Sequence, residues 1–287
     1  EPLLRPDFPE LLHALKNMGF LVSVNSNGSL LRGELLEAVK QDPPLRFNIT
    51  LYGGSNATYE RLCGRAMFQE VVDNLRALKD AGIPVRLNVS VTPDNKDDVP
   101  EIFRLARELG LHTKASTYMY PPVRLDDGRP GDAPHRFAPE DAARYMLLCR
   151  EQQFTLEELR ASAAGVPLSD GDECTGNAEG EPVLCRAGRS SFWLTWDGRM
   201  IPCGMMASPG TPVLEQGFSA AWRSVRTEVE AIRLPAACAG CALRRHCNLC
   251  AASCFAETGD YDRKPDYICS LTHTLCRITR EKYGTED

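Results

Sequence analysis

The sequence of 287 residues contains no uninterrupted run of 18 apolar residues, so it predicts no membrane-spanning helix. Its first residues also lack the pattern of a secretion signal, and we therefore expect a cytoplasmic protein. Positive charge is not in excess, because 33 lysines and arginines stand against 39 aspartates and glutamates and the net charge is −6. Since nucleic-acid binding normally requires a basic surface, we expect neither nucleic acid nor a membrane among its partners.

Cysteine is scarce in the first 170 residues, which contain only Cys63 and Cys149. Nine of the chain's 12 cysteines lie from Cys174 to Cys269. A secreted disulfide protein of this cysteine density is usually short, whereas the first 170 residues read as an ordinary α/β core. Clustered cysteines in such a chain are more often metal ligands. Cys63 and Cys149 fall in predicted helices, where we expect small buried apolar residues and not ligands.

Strand and helix patterns alternate through the first 120 residues. The predicted strands are 20–25, 45–52, 84–92 and 111–120, and the predicted helices are 3–18, 34–41, 58–81 and 96–109. Strands that alternate with helices in units of about 30 residues indicate parallel βαβ units. A further helix is predicted at 139–164, after a segment rich in glycine, proline and aspartate.

One face is polar on three of the predicted strands, and the opposite face of 45–52 and 84–92 is apolar. The polar side chains are Asn48, Thr50 and Tyr52, then Arg86, Asn88, Ser90 and Thr92, then Lys114, Ser116, Tyr118 and Tyr120. A closed barrel fills its interior with aliphatic residues, and buried parallel strands are usually apolar on both faces. The pattern therefore favours a partial, splayed (β/α) barrel with a polar lumen. The alternative is a doubly wound sheet with one solvated edge.

The composition predicts three regions. Residues 1–124 form the partial barrel, 125–168 form a linker and a helix, and 169–287 form a small cysteine-rich α+β domain. In the last region a hairpin turn is expected at 196–198, which would bring Cys203 back beside Cys185.

Three kinds of site could use the cysteines of the last region. The pattern from Cys238 to Cys250, read alone, suits structural zinc. Disulfides are disfavoured because neighbouring cysteines in CxxC pairs seldom form structural bridges. The whole set favours iron–sulfur clusters, because nine thiolates suffice for two four-thiolate clusters and no paired histidine accompanies them.

The cysteine spacing resembles that of the SPASM domain, which is the C-terminal auxiliary-cluster domain of radical S-adenosylmethionine (SAM) enzymes. The matching positions are Cys185, Gly198, Cys203, Cys238, Cys241, Cys247 and Cys269. Three segments of the N-terminal half are similar to motifs of the radical SAM barrel. Residues 1–4 resemble the end of a Gly-Gly-Glu-Pro motif, 25–28 resemble an Asn-Gly turn, and 50–53 lie where the family has a Ser-x-Asp-Gly-like segment.

The resemblance implies two sets of cluster ligands. One cluster would take Cys238, Cys241, Cys247 and Cys269, and the other would take Cys185, Cys203, an upstream cysteine and one that follows Cys247. Cys174 is the upstream candidate. The family's usual position for the last ligand corresponds here to Ala251, which lies between Cys250 and Cys254. Either could serve; we favour Cys254, because a CxxC pair would direct Cys250 to the cluster that Cys247 already serves.

The resemblance also implies an activity. The sequence departs from the family pattern in two places that bear on it. The CxxxCxxC motif of the SAM-cleaving cluster is absent, so we expect it upstream of Glu1 and expect the N-terminally truncated fragment to be inactive. Sulfatase-maturing members have Asp directly after the cysteine matching Cys203, and Gly204 stands there instead. The implied function is hydrogen abstraction by a 5′-deoxyadenosyl radical from a peptide or protein, which leads to a thioether or carbon–carbon crosslink or a similar oxidation.

The implied cofactors are two auxiliary 4Fe-4S clusters, together with SAM and a third 4Fe-4S cluster in the full-length protein. A reductant such as flavodoxin or ferredoxin would be a partner. The candidate SAM-binding residues on the polar strand faces are Asn25, Thr50, Asn88 and Ser90, although each could instead be an ordinary satisfied polar residue. The rival of another class is a non-enzymatic module that binds zinc or a cluster, which an upstream CxxxCxxC motif would exclude.

Overall fold

The computed structural model describes residues 1–121, 131, 133, 135–168, 183, 185–206 and 208–284. Its residues form two compact units. The first unit comprises Glu1–Tyr118 and Leu148–Gln153, and the second comprises Met119–Leu147 and Phe154–Asp287. The three regions drawn from composition stay a prediction. Among the described residues, none of the helices combines the length and the hydropathy needed to cross a bilayer.

The first unit is built on a sheet of four parallel strands. They are β1 (Ser23–Ser26), β2 (Arg46–Thr50), β3 (Val85–Ser90) and β4 (His112–Ser116), and they lie in the order β1-β2-β3-β4. A doubly wound sheet reverses its strand order, whereas this order follows the sequence. Each new strand is added on the same side of the one before it, and right-handed crossovers then place every connecting helix on the same face of the sheet. This is the arrangement of part of a (β/α) barrel. The predicted α/β fold is confirmed.

Five helices belong to this unit. They are α1 (Phe8–Asn17), α2 (Gly33–Gln41), α3 (Asn56–Cys63), α4 (Phe68–Asp80) and α5 (Val99–Leu109), with 3₁₀ turns at Pro2–Leu4 and Lys96–Asp98. The single helix expected over 58–81 is wrong. Gly64 takes a left-handed conformation with φ +71° at the end of α3, and the chain starts again as α4. Glycine adopts this conformation without the steric cost of a Cβ, so it ends helices readily.

The aliphatic face of the sheet forms the core of the first unit. Its buried strand residues are Val24, Phe47, Ile49, Leu51, Leu87 and Val89, and its buried helix residues include Val71, Leu75, Leu78, Ile102 and Leu105. The apolar phase read from the sequence is therefore the buried phase. Because the aliphatic face is buried against the helices, the polar face is the one that lies on the opposite side of the sheet.

The second unit combines short strands and helices. Its elements are α7 (Leu156–Ala163), β5 (Trp193–Leu194), β6 (Arg199–Ile201), β7 (Thr211–Pro212), α8 (Val213–Gln216), α9 (Phe218–Ala231), α10 (Ala251–Thr258) and α11 (Asp266–Tyr283). The preceding helix, α6 (Pro139–Gln153), contributes residues to both units. The single helix expected over 139–164 is also wrong. Thr155 caps α7 with a reciprocal Thr155–Glu158 capping box, and this motif begins a new helix.

The hairpin expected at 196–198 is present. β5 and β6 pair antiparallel, with Trp193 opposite Ile201, and Gly198 closes the turn at φ +77°. β7 adds a third strand beside β6. Behind this sheet, α9 and α10 pack on an apolar core that contains Met200, Val225, Val229 and Leu234.

Candidate metal centres and polar sheet face

The sheet brings the four predicted SAM-binding residues to one polar face. Thr50 lies beside Asn88 across the β2–β3 pair, and Ser90 lies beside Ser116 across the β3–β4 pair. On the neighbouring pair, the Asn48 side chain donates a hydrogen bond to Asn25 Oδ1 at 2.8 Å. Thr50 and Asn88 are half-buried while Asn25 and Ser90 are exposed. Their shared face is open to a ligand, and their role toward SAM stays a prediction.

Asn48 belongs to the same face although the sequence did not single it out. It is buried, and its side-chain oxygen Oδ1 has no hydrogen-bond partner among the described residues. A buried acceptor normally has a partner, so Asn48 is the residue of this face that a bound donor would satisfy best. The alternating pattern placed Asn48 on the polar phase, but burial could not be read from it.

Asn95 fixes the loops at the carboxyl ends of β2 and β3. Its side chain is 4% exposed, donates to the carbonyls of Tyr52 and Ser90 at 2.8 and 2.9 Å, and accepts from Thr92 N at 2.7 Å. Active sites of barrels lie at this end of the strands. Asn95 therefore shapes the region where the candidate residues lie. It falls between the predicted strand 84–92 and the predicted helix 96–109, and the sequence pattern did not single it out.

Two segments that resemble radical SAM motifs meet at the end of β1. The Glu1 carboxylate accepts hydrogen bonds at 2.8 Å from Ser26 Oγ and from the backbone N–H of Asn27. The Glu-Pro segment and the Asn-Gly turn are thus adjacent in space. At the third segment, a Cβ on Gly53 would lie 2.4 Å from Thr58 Cγ2, so only glycine fits.

Four cysteines of the second unit line one cavity. These are Cys238, Cys241, Cys247 and Cys269, and the cavity contains about 360 Å³ of empty space, part of it open to solvent. Among the described residues, no three His, Cys, Asp or Glu side chains are grouped closely enough to hold a metal ion. The four thiols line one cavity. Thiolates are the ligands of iron–sulfur clusters, in which each sulfur binds a different iron.

Local backbone structure places these cysteines. Cys238, Cys241 and Cys247 lie in a run of tight turns, in which Cys241 N donates to the Cys238 carbonyl at 3.3 Å. Cys269 lies in the first turn of α11. Burial raises the pKa of the Cys238 thiol, the neighbouring Cys247 raises it further, and the Arg244 guanidinium lowers it. A metal that binds here would displace the thiol protons, because thiolates are the ligands.

Three other cysteines pack around one apolar core. Cys185, Cys203 and Cys250 all contact the core that contains Met200. The Cys250 side chain also caps α10 by accepting a hydrogen bond from Ser253 N at 3.4 Å. Three of the residues predicted for the other cluster thus pack against one core, and their role as ligands stays a prediction. Cys174, the predicted upstream ligand, lies outside the described residues.

Cys254 differs from Cys250 in its surroundings. It is fully buried within α10. Burial raises the pKa of its thiol far above the usual value, and nearby Cys250, Cys238 and Cys247 raise it further. A thiol in this position is a poor candidate for a ligand that must reach outward. Cys149 is likewise fully buried, with its pKa raised to about 12 by burial, whereas Cys63 is half-buried.

Residues 1–122 match the family model of the radical SAM superfamily. This first part of the chain is similar to a radical SAM domain. The similarity disfavours a non-enzymatic module as an account of the chain. The cysteine-rich second unit fits a SPASM domain.

A curated relative is similar to most of the chain. The AdoMet-dependent heme synthase of Methanosarcina barkeri is 24% identical over 280 residues, which are 93% of this chain and 79% of the relative. The similarity therefore extends through both units.

Two solved structures share the fold. Streptococcus suis SuiB, solved with the precursor peptide SuiA, has a TM-score of 0.64 at 14% identity and is matched over 94% of this chain. The protein anSMEcpe, solved with AdoMet and a Kp18Cys peptide, has a TM-score of 0.66 at 13% identity and is matched over 96% of this chain. This chain spans 63% of the SuiB chain and 79% of the anSMEcpe chain.

Proposed function

We propose that the chain belongs to a radical SAM enzyme that oxidises or crosslinks a peptide or protein, and that its second unit holds two auxiliary 4Fe-4S clusters. The observation that carries this proposal is the single cavity lined by Cys238, Cys241, Cys247 and Cys269. These thiols come from two separate segments of the chain, and thiolates are the ligands that iron–sulfur clusters require. A flavodoxin or ferredoxin would supply the electrons.

Cys185, Cys203 and Cys250 are the proposed ligands of the other cluster, with Cys174 as the fourth. Their packing around one core supports this choice. On the sequence alone, Cys254 is favoured, because a CxxC pair would direct Cys250 to the cluster that Cys247 already serves. The packing favours Cys250, since the Cys254 side chain is fully buried.

Serine substitutions test this choice, because serine keeps the size of cysteine and removes the soft ligand. In anaerobically reconstituted protein, Cys250→Ser should lose about half of the bound iron, because one of two four-iron clusters loses a ligand. Cys254→Ser is the matched control and should keep most of its iron. The reverse pattern would return the assignment to Cys254.

The polar sheet face is the proposed site for SAM and for the hydrogen abstraction. When bound, the SAM-cleaving cluster supplies the electron that generates the radical. The protein's own residues would bind and orient SAM. Thr50 and Asn88 present polar groups from neighbouring strands, and Asn48 offers an acceptor, Oδ1, that no described residue satisfies. The aliphatic residues on the opposite side of the sheet keep that side free of water.

The peptide substrate is supported by the two structural neighbours, both of which were solved with a peptide. A sulfatase-maturing activity is disfavoured, since Gly204 replaces the expected Asp. The structure adds a packing reason: a Cβ on Gly204 would lie 2.9 Å from the Trp193 ring. An Asp side chain at this position would have to displace that ring.

A tetrapyrrole substrate is the second candidate. The long alignment with the heme synthase favours it, because that relative matches both units. Titration of the protein with an iron porphyrin separates the two candidates. A peptide-modifying enzyme should leave the Soret band of the porphyrin unchanged, whereas a saturable Soret shift at micromolar porphyrin would favour the tetrapyrrole.

A further inference from the structure

Arg244 continues a three-residue repeat that carries Cys238, Cys241 and Cys247. Backbone hydrogen bonds join each member to the next: Cys241 N to Cys238 O at 3.3 Å, Arg244 N to Cys241 O at 3.0 Å, and Cys247 N to Arg244 O at 3.3 Å. These bonds form a run of tight turns that contains two short 3₁₀ turns, Ala236–Cys238 and Arg244–His246. Arg244 lines the cavity together with the three cysteines.

The Arg244 guanidinium is only partly satisfied. Its Nη1 donates to the Cys247 carbonyl at 3.0 Å. Its Nη2 is buried and has no hydrogen-bond partner in the part of the chain that the structure describes. A buried charged donor without an acceptor is costly, so such a group in a native protein calls for a ligand. Arg244 also lines the cavity of the four cysteines, so a cluster bound there would bring anionic sulfurs close to its guanidinium.

We propose that Arg244 donates through Nη2 to an anionic iron–sulfur cluster held by Cys238, Cys241, Cys247 and Cys269, and that it raises the reduction potential of this cluster. The inference rests on the proposed function, because it requires that cluster. Reduction adds one electron, and hence one negative charge, to the cluster. A fixed cation stabilises the reduced state more than the oxidised state, and hydrogen bonds to the sulfurs act in the same direction.

Lys264 is the other long cation beside the cavity, and its charge is better compensated. Its Nζ lies 3.3 Å from Asp266 Oδ1, and its side chain is 43% exposed. Water and a carboxylate both screen such a charge. Arg244 has neither form of compensation at Nη2, so we assign it the larger effect on the potential.

A redox titration of the reconstituted protein, with dithionite as reductant and EPR detection, tests the proposal. Arg244→Gln should lower one of the two cluster potentials and leave the other in place. A tenfold fall in the reduction constant of a one-electron couple is a shift of about 59 mV, and we expect at least that. Arg245→Gln is the matched control, because it removes the same charge at an adjacent exposed position, and it should shift neither potential as much.

Arg244→Lys separates charge from structure. Lysine keeps the charge and loses the planar fork. If the proposal holds, this variant keeps its iron and most of the wild-type potential, even where Arg244→Gln loses its cluster. Two unmoved potentials in Arg244→Gln, or loss of iron in Arg244→Lys, would overturn the proposal and leave Arg244 as a support for the Cys247 loop. Wild-type protein that binds no iron would instead refute the proposed function itself.

Discussion

A buried ion pair anchors α10, the helix that begins just after Cys250. Arg136 Nη1 lies 2.7 Å from Glu257 Oε1, and Nη2 lies 3.2 Å from Oε2. The two side chains are 13% and 5% exposed. Arg136 also donates to the Gly131 carbonyl at 3.0 Å and lies 3.9 Å from the centre of the Tyr267 ring.

Replacing Glu257 with Gln should destabilise the second unit strongly. The change keeps the size of the side chain and leaves the Arg136 charge buried without its counter-ion. Removal of one partner from a buried pair costs about 3–5 kcal/mol. Because Arg136 keeps the Gly131 carbonyl and the Tyr267 ring, we expect about 3 kcal/mol, at the low end of that range.

Urea unfolding of the apoprotein followed by tryptophan fluorescence measures this loss. All three tryptophans, Trp193, Trp196 and Trp222, belong to the second unit, so the signal reports on that unit. Glu281→Gln is the matched control, because its pair with Arg277 is 59% and 61% exposed. Such exposed pairs contribute up to about 0.5 kcal/mol on a helix. Equal effects of the two substitutions would show that the Arg136–Glu257 pair is not desolvated.

Three further predictions concern single sites. Burial raises the pKa of Cys149 from 9.0 to about 12, so the unfolded chain ionises first and stability falls as pH rises through this window. Cys149→Ala should flatten the decline between about pH 9 and about pH 12 in urea unfolding followed by circular dichroism. Gly204→Ala should cost about 1 kcal/mol and shift the tryptophan emission by displacing Trp193, whereas Gly240→Ala, with open space around it, should do neither. The chain, which contains no CxxxCxxC motif, should release no 5′-deoxyadenosine from SAM when reduced, and chromatographic detection of that product would contradict this expectation.

The sequence predicted the layout of the first unit because its signals are local and periodic. Alternating side chains on residues 84–92 gave the buried face correctly, with Leu87 and Val89 in the core. The two misjudged helices failed for the opposite reason. Gly64 ends one helix and Thr155 begins another, each within a stretch whose apolar residues keep a helical spacing. A single capping residue hardly changes that spacing, so the periodicity does not reveal the break.

The sequence predicted which residue types form the candidate sites, but it did not predict how buried each residue is or what it contacts. Spacing grouped Cys238, Cys241, Cys247 and Cys269, and the cavity contains all four. Spacing could not distinguish Cys250 from Cys254, because the difference between them is burial. Burial depends on which helices pack together, and that information is absent from a short stretch of chain. The environment of Arg244 Nη2 could not be predicted for the same reason, because only the fold shows that this buried atom has no hydrogen-bond partner among the described residues.

The iron content of the anaerobically reconstituted protein tests the central claim most directly. Two four-iron clusters predict about eight irons per chain, with the broad visible absorbance of iron–sulfur proteins. About one or two zinc ions per chain, with no absorbance in the visible range, would show that the cysteines form structural zinc sites and would contradict the account.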